Sequence, residues 1–139
     1  MNSLNQQAIA ATTLRITLGI MFLAHSIVLK YFTFTLAGTA QFFESLGLPG
    51  LLAYVVFAAE AIGGVLLVLG IQTRIVALAL IPVLAGAAWA HIGNGWVFNA
   101  NGGGWEYPVF LIIVSAVTAL LAPQAKRIEQ VRGAVTGRV

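Results

Sequence analysis

Four long apolar runs divide the chain, at residues 8–32, 51–70, 75–92 and 105–122, and polar positions collect between them. Each run approaches the roughly 20 residues that an α-helix needs to cross a hydrocarbon core about 30 Å thick. The pattern predicts four transmembrane helices. Between the first two runs, "TFTLAGTAQFFESLGLPG" places Phe42, Phe43 and Leu46 on one side of a helical wheel and Gln41, Glu44 and Ser45 on another. That predicts a short interfacial helix ended by Gly47 and Pro49. The link "GIQTR" is tight enough to make the second and third helices antiparallel neighbours. Before the fourth run, "GNGWVFNANGGGW" sets turn formers around "WVF" and reads as a small hairpin or an irregular cap. The fourth run ends before Pro123, where "LLAPQAKR" combines a helix stop with a basic flank. In the tail, Ile128, Val131 and Val135 fall at helical spacing among basic residues, which fits a helix on an anionic leaflet and equally a disordered segment. The chain shows no convincing internal repeat.

Composition turns the pattern into a class. Of 139 residues, 60% are hydrophobic and 8% charged, whereas an ordinary soluble domain carries about 25% charged residues. The chain therefore reads as one multi-pass membrane domain over residues 1–139, an all-α bundle of four transmembrane helices with lipid as its main surroundings. No length remains for a separate soluble catalytic domain. The first run lacks a basic leader region and a small-residue cleavage site, so it reads as a retained span. The net charge of +3 does not point to nucleic acid, because the basic residues flank the spans. Arg15, Arg74, Lys126, Arg127, Arg132 and Arg138 fall at the N-terminal, 70–74 and C-terminal flanks, and Lys30 alone falls at the opposite face. The positive-inside rule then puts both termini and the 123–139 tail in the cytoplasm. Cysteine is absent, so the chain by itself performs no thiol–disulfide exchange, thiolate catalysis or Fe–S ligation. A redox role needs a bound cofactor or a partner.

Within this frame the ionisable residues carry the candidate chemistry. Glu60 stands in the middle of "LAYVVFAAEAIGGVLLVLG", near the bilayer centre, where an isolated carboxylate costs several kcal/mol. It is expected to face the bundle interior and to bind a proton, a ligand, or a cation such as His25 or Arg15. Ala53, Gly63 and Gly64 flank its face, and "AGAAWAH" in the third span adds small residues; these either leave room for a pocket or allow close helix packing. Lys30, with its long apolar stem, is expected to snorkel to the outer headgroups. His25 lies deeper, suited either to a hydrogen bond between helices or to a ligand. His91 and Glu106 sit at the outer ends of spans three and four, with Trp89, Trp96, Trp105 and Tyr107 at the same level. Together these place a candidate site in the outer half, bounded by His25, Glu60, His91 and Glu106 and roofed by the 93–104 loop with Trp105 and Tyr107.

The stretches "LRITLGIMFLAHSIVLKYF", "TAQFFESLGLPG", "AAEAIGGVLLVLGIQTR" and "NGGGWEYPVFLI" together resemble the DoxX family of small four-span bacterial membrane proteins. The resemblance implies a four-helix bundle in the bacterial inner membrane and an association with redox complexes, after the thiosulfate:quinone oxidoreductase subunit that names the family. Carried onto this chain, the family's motif positions are His25, Lys30, Glu60, Gly63, Gly64, Arg74, His91, Trp105, Glu106 and Tyr107. Lacking cysteine, the chain differs from thiol-bearing relatives, and a sulfur relay is not expected of it.

Two functions of different kinds follow. One is a redox-associated subunit that binds a quinone-like or other amphipathic ligand, for which His25, Lys30, Glu60, His91, Trp105, Glu106 and Tyr107 are the candidate binding residues. A quinone asks for an apolar slot, a hydrogen-bond donor and a titratable group. The other is a non-enzymatic accessory or assembly factor for a membrane or redox partner, or for further copies of itself. Haem or metal binding by two His and two Glu ranks below both, because their spacing matches no metal motif.

Overall fold

The computed structural model describes residues 3–136, and beyond Ala122 its backbone and Gly133 only. Among the described residues the chain is all-helical, without a strand. Helix α1 (Ser3–Leu23) runs directly into a π-helical segment, Ala24–Thr33; α2 (Leu36–Ser45), α3 (Leu51–Leu69), α4 (Thr73–His91) and α5 (Glu106–Thr136) follow, with a 3₁₀ turn at Ile92–Asn94. Among the described residues three stretches are long and apolar enough to cross a membrane: Ser3–Thr33, Leu51–Leu69 and Thr73–Asn94. The apolar part of α5, Glu106–Ala122, is shorter.

Of the two forms expected for the 95–105 connection, the irregular cap is the one observed, and the expected stop before Pro123 is not: α5 continues through Pro123 to Thr136. A proline removes one i→i−4 hydrogen bond and crowds the preceding turn, which kinks a helix as often as it stops one. The basic tail's side chains, including Ile128, Val131 and Val135, lie outside the described residues.

Helix α1 packs on α3 and α5, and α4 packs on α5 and α3, so the four long helices meet in the cyclic order α1, α3, α4, α5. Leu18, Phe22, Leu67, Leu80 and Leu111 form the centre of the core. Many other large apolar side chains, among them Ile20, Ile62, Ile75 and Leu120, point outward, as expected where the surroundings are lipid. In such surroundings close packing replaces the hydrophobic effect as the force between helices. Gly19 and Gly64 provide it: a Cβ on Gly19 would stand 2.8 Å from the Gly64 carbonyl oxygen, and one on Gly64 would stand 2.8 Å from Leu23 Cγ. Gly63 is covered in the same way by Leu80. The glycines beside Glu60 therefore serve close packing and leave no pocket. Gly86, in the small-residue stretch of α4, meets nothing within 4 Å, so this glycine is not a contact between helices.

The α3 C-terminus closes on Gly70, whose φ of 76° is left-handed. Ile71 N–H donates to the Leu66 carbonyl at 2.9 Å and Gly70 N–H to Leu67 at 3.2 Å, a Schellman closure. Arg15 completes it by donating Nη1 to the carbonyls of Leu67 at 2.5 Å and Val68 at 2.8 Å. A guanidinium at the negative end of a helix satisfies both the dipole and the leftover acceptors. Arg15 is thus occupied at the end of the molecule that also holds the start of α1, far along α3 from Glu60.

At the opposite end, the α2 end, the π-helical segment changes which residues share a face. On an α-helix His25 and Lys30 would point about 140° apart. An i→i+5 ladder puts more residues in each turn, so residues five apart fall nearly above one another. Ser26, buried, donates to the Phe22 carbonyl at 2.8 Å, and the segment ends with Phe34 N–H donating to Leu29 at 2.8 Å. Thr35 follows with a φ of 61°, rare for a β-branched residue, and its hydroxyl caps α2 by accepting from Gly38 N–H at 3.1 Å. Helix α2 then packs across α3 and the π-helical segment, and the chain turns away after it at Gly47, whose φ is 79°.

Candidate functional site

Lys30 does not snorkel to the headgroups. Its Nζ lies 2.6 Å from Glu60 Oε2, with the lysine side chain 18% exposed and the glutamate 7%. The geometry follows from helix sterics: α1 and α3 run antiparallel, and Cβ atoms tilt toward each helix's own N-terminus. Lys30 therefore leans into the bundle from the α2 end, and Glu60 leans toward it from mid-helix. The expectation that Glu60 faces inward and is sheltered holds, and its partner is Lys30 in place of His25 or Arg15.

His25 sits beside this pair, within electrostatic reach of Glu60. Its Nδ1 is 2.9 Å from the Met21 carbonyl of its own helix. A carbonyl only accepts, so Nδ1 carries the hydrogen of this bond. The ring stacks on Tyr107 of α5, with centroids 5.8 Å apart and planes 21° apart. The contact between helices is thus ring on ring; the hydrogen bond stays within one helix.

Glu106 opens α5 and builds the loop before it. Its Oε1 accepts from Phe98 N–H at 3.0 Å, and its own N–H donates to the Trp96 carbonyl at 3.0 Å. Trp105 N–H donates to Gly95 at 3.2 Å, and Trp105 stands edge-on to Trp96 with centroids 4.4 Å apart. Gly104 is obligatory here, since a Cβ would strike the Trp96 and Val97 carbonyl oxygens. Between this loop and α5 lies a cleft of about 440 Å³, walled by Trp96, Phe98, Val109, Phe110 and Ile113, with Glu106 and Tyr107 as its polar groups.

The expected convergence of His25, Glu60, His91 and Glu106 is therefore divided. His25, Lys30, Glu60 and Tyr107 come together, and Tyr107 and Glu106 share the cleft. His91 and Trp105 do not line it. His91 stacks on Phe42 of α2, centroids 6.3 Å apart, and lies 3.5 Å from Asn94 Nδ2, which also donates to the Gly102 and Gly103 carbonyls. It lies between α2 and the loop. Residues the sequence did not single out are Phe98, Phe110 and Ile113, whose apolar character looked like any other lipid-facing position. One signal was available: every Phe, Trp and Tyr lies in the half of its helix nearest the α2 end, or in a connection there. Membrane proteins usually place aromatic belts at both interfaces.

The DoxX family model matches residues 10–93. The chain belongs to the DoxX family. The matched region holds His25, Lys30, Glu60 and His91, whereas the cleft residues from Trp96 onward lie beyond it. The "NGGGWEYPVFLI" stretch also lies outside the match. A similar protein is "Putative oxidoreductase CatD" of Bacillus subtilis (strain 168), 46% identical over 79 residues, a match covering 57% of this DoxX chain and 57% of the relative's length. No solved structure matches the chain.

Proposed function

We propose that this DoxX protein is a four-span bacterial inner-membrane protein with both termini cytoplasmic, which binds a quinone-like amphipathic ligand in the cleft between α5 and the 95–105 loop. In this reading it is the membrane subunit of a redox system. The observation that carries it is Tyr107, which lines the cleft on one side and stacks on His25 on the other, with the Lys30–Glu60 pair behind. A largely apolar cleft lies beside titratable groups in the bundle. Reducing a quinone takes up two protons and two electrons; His25 and the Lys30–Glu60 pair are the titratable groups behind Tyr107, and the electrons belong to a partner protein. The DoxX relationship and the name of the Bacillus relative support a redox setting. The span count rests on α5: the mainly apolar segment Glu106–Ala122, at about 1.5 Å per residue, reaches most of the way across the core. Orientation rests on the basic flanks.

Titration of the purified protein in nanodiscs with decyl-benzoquinone tests the reading. Quenching of tryptophan fluorescence is expected, with at least tenfold weaker binding for Tyr107→Ala; no saturable binding overturns it. The accessory-factor reading has an observation in its favour too, since Lys30, Glu60 and Glu106 all find partners inside the chain. Co-purification of a membrane protein with a ligand-free parent supports that alternative.

A further inference from the structure

The connection that bears Trp96, Val97 and Phe98 is built unlike a loop in water. These three consecutive side chains are 51%, 49% and 64% exposed, and no Asp, Glu, Lys or Arg occurs between His91 and Glu106. A water-facing loop leaves carbonyls to the solvent, whereas backbone at membrane depth must be satisfied from within. Here the carbonyls of Gly95, Trp96, Val97 and Phe98 accept from the N–H groups of Trp105, Glu106, Ala100 and Gly104 at 3.2, 3.0, 3.0 and 3.4 Å. Phe98 N–H in turn donates to Glu106 Oε1 at 3.0 Å. Consecutive backbone acceptors are thus paired at the point where the exposed side chains are most apolar.

The apolar patch continues into surface already turned to lipid. Trp89 and Ile92 precede it and are exposed, and Phe110, exposed on α5, shares the cleft wall with Trp96 and Phe98. A docking site for a soluble partner is rimmed by polar surface. This patch instead joins the apolar faces of α4 and α5, and polar residues enter only at Asn99 and Asn101, where the chain turns back. We propose that residues 95–98 are set into the bilayer leaflet at the α2 end, with Trp96, Val97 and Phe98 against the upper acyl chains and Asn99 and Asn101 at the headgroups. Tryptophan is favoured at that depth, where its ring is apolar and its N–H reaches the headgroup level. The cleft wall made by Trp96 and Phe98 then stands within the leaflet, whatever the cleft contains.

Spin labelling tests this directly on a chain without native cysteine. The full chain with Val97→Cys or Asn101→Cys, each carrying a nitroxide, is reconstituted into vesicles of phosphatidylethanolamine and phosphatidylglycerol. Collision of the label with oxygen, which dissolves in lipid, is compared with collision with nickel ethylenediaminediacetate, which stays in water. At 97 the oxygen-to-nickel ratio is expected to be at least threefold higher than at 101. Phe98→Cys, also on the exposed patch, takes the label where Val97→Cys does not fold, and the same ratio is expected of it. Equal ratios at the apolar position and at 101 put the segment in water and overturn the proposal. A label at 97 or 98 that neither reagent reaches is covered by protein, a partner chain or a second copy, and overturns it as well.

Discussion

Lys30 Nζ and Glu60 Oε2 meet at 2.6 Å between two antiparallel helices, each side chain leaning along its own helix toward the other. The two partners are not equivalent. Glu60 stands mid-helix and almost fully covered, whereas Lys30 is near the α2 end and retains some exposure. Lys30→Met strands a carboxylate and is expected to cost about 3–5 kcal/mol. Glu60→Gln is expected to cost less, because the freed lysine can turn outward along its apolar stem. The double variant should recover most of the loss. Thermal unfolding in detergent checks all three, and equal costs for the two single variants would contradict the asymmetry.

Arg15 closes the far end of α3. Replacing it with Leu removes two charge-assisted bonds to the Leu67 and Val68 carbonyls, and a loss of about 2–3 kcal/mol is expected. Hydrogen exchange should report it locally, with faster exchange at residues 67–71 and little change near Glu60.

Gly19 and Gly86 make a matched comparison. Gly19→Ala forces a methyl against the α3 backbone and is expected to cost about 1–3 kcal/mol. Gly86→Ala meets open space, so a change within about 0.5 kcal/mol is expected. Melting temperatures of the two variants in one detergent decide it; equal losses would refute the α1–α3 crossing.

Topology is testable on a chain without native cysteine. With both termini cytoplasmic, Asn99→Cys should react with an impermeant maleimide added to intact cells and Thr136→Cys should not. The reverse pattern would invert the membrane orientation and move the cleft to the cytoplasmic face.

Hydropathy is a property of each residue and its surroundings, and for that reason the apolar runs alone located the long helices. The sheltering of Glu60 was legible too, since a carboxylate in mid-span must turn away from lipid whatever lies beside it. So was the helix between the first two spans, from its own two-sided pattern and the Gly47 stop. Pairing was not legible, because it depends on helix rotation and register, which are relations between distant segments. Close contact of Gly19 with Gly64 sets the register of α1 on α3, and the π-helical segment sets the rotation that brings His25 and Lys30 onto one face. An α-helical wheel sends those two residues apart. A trace remained in the spacing of His25, Ser26 and Lys30, three polar residues that no single α-helical face accommodates. The cleft was decided in the same way: Glu106 reads as an interfacial acid until its bond to the Phe98 amide folds two aromatic rings over α5.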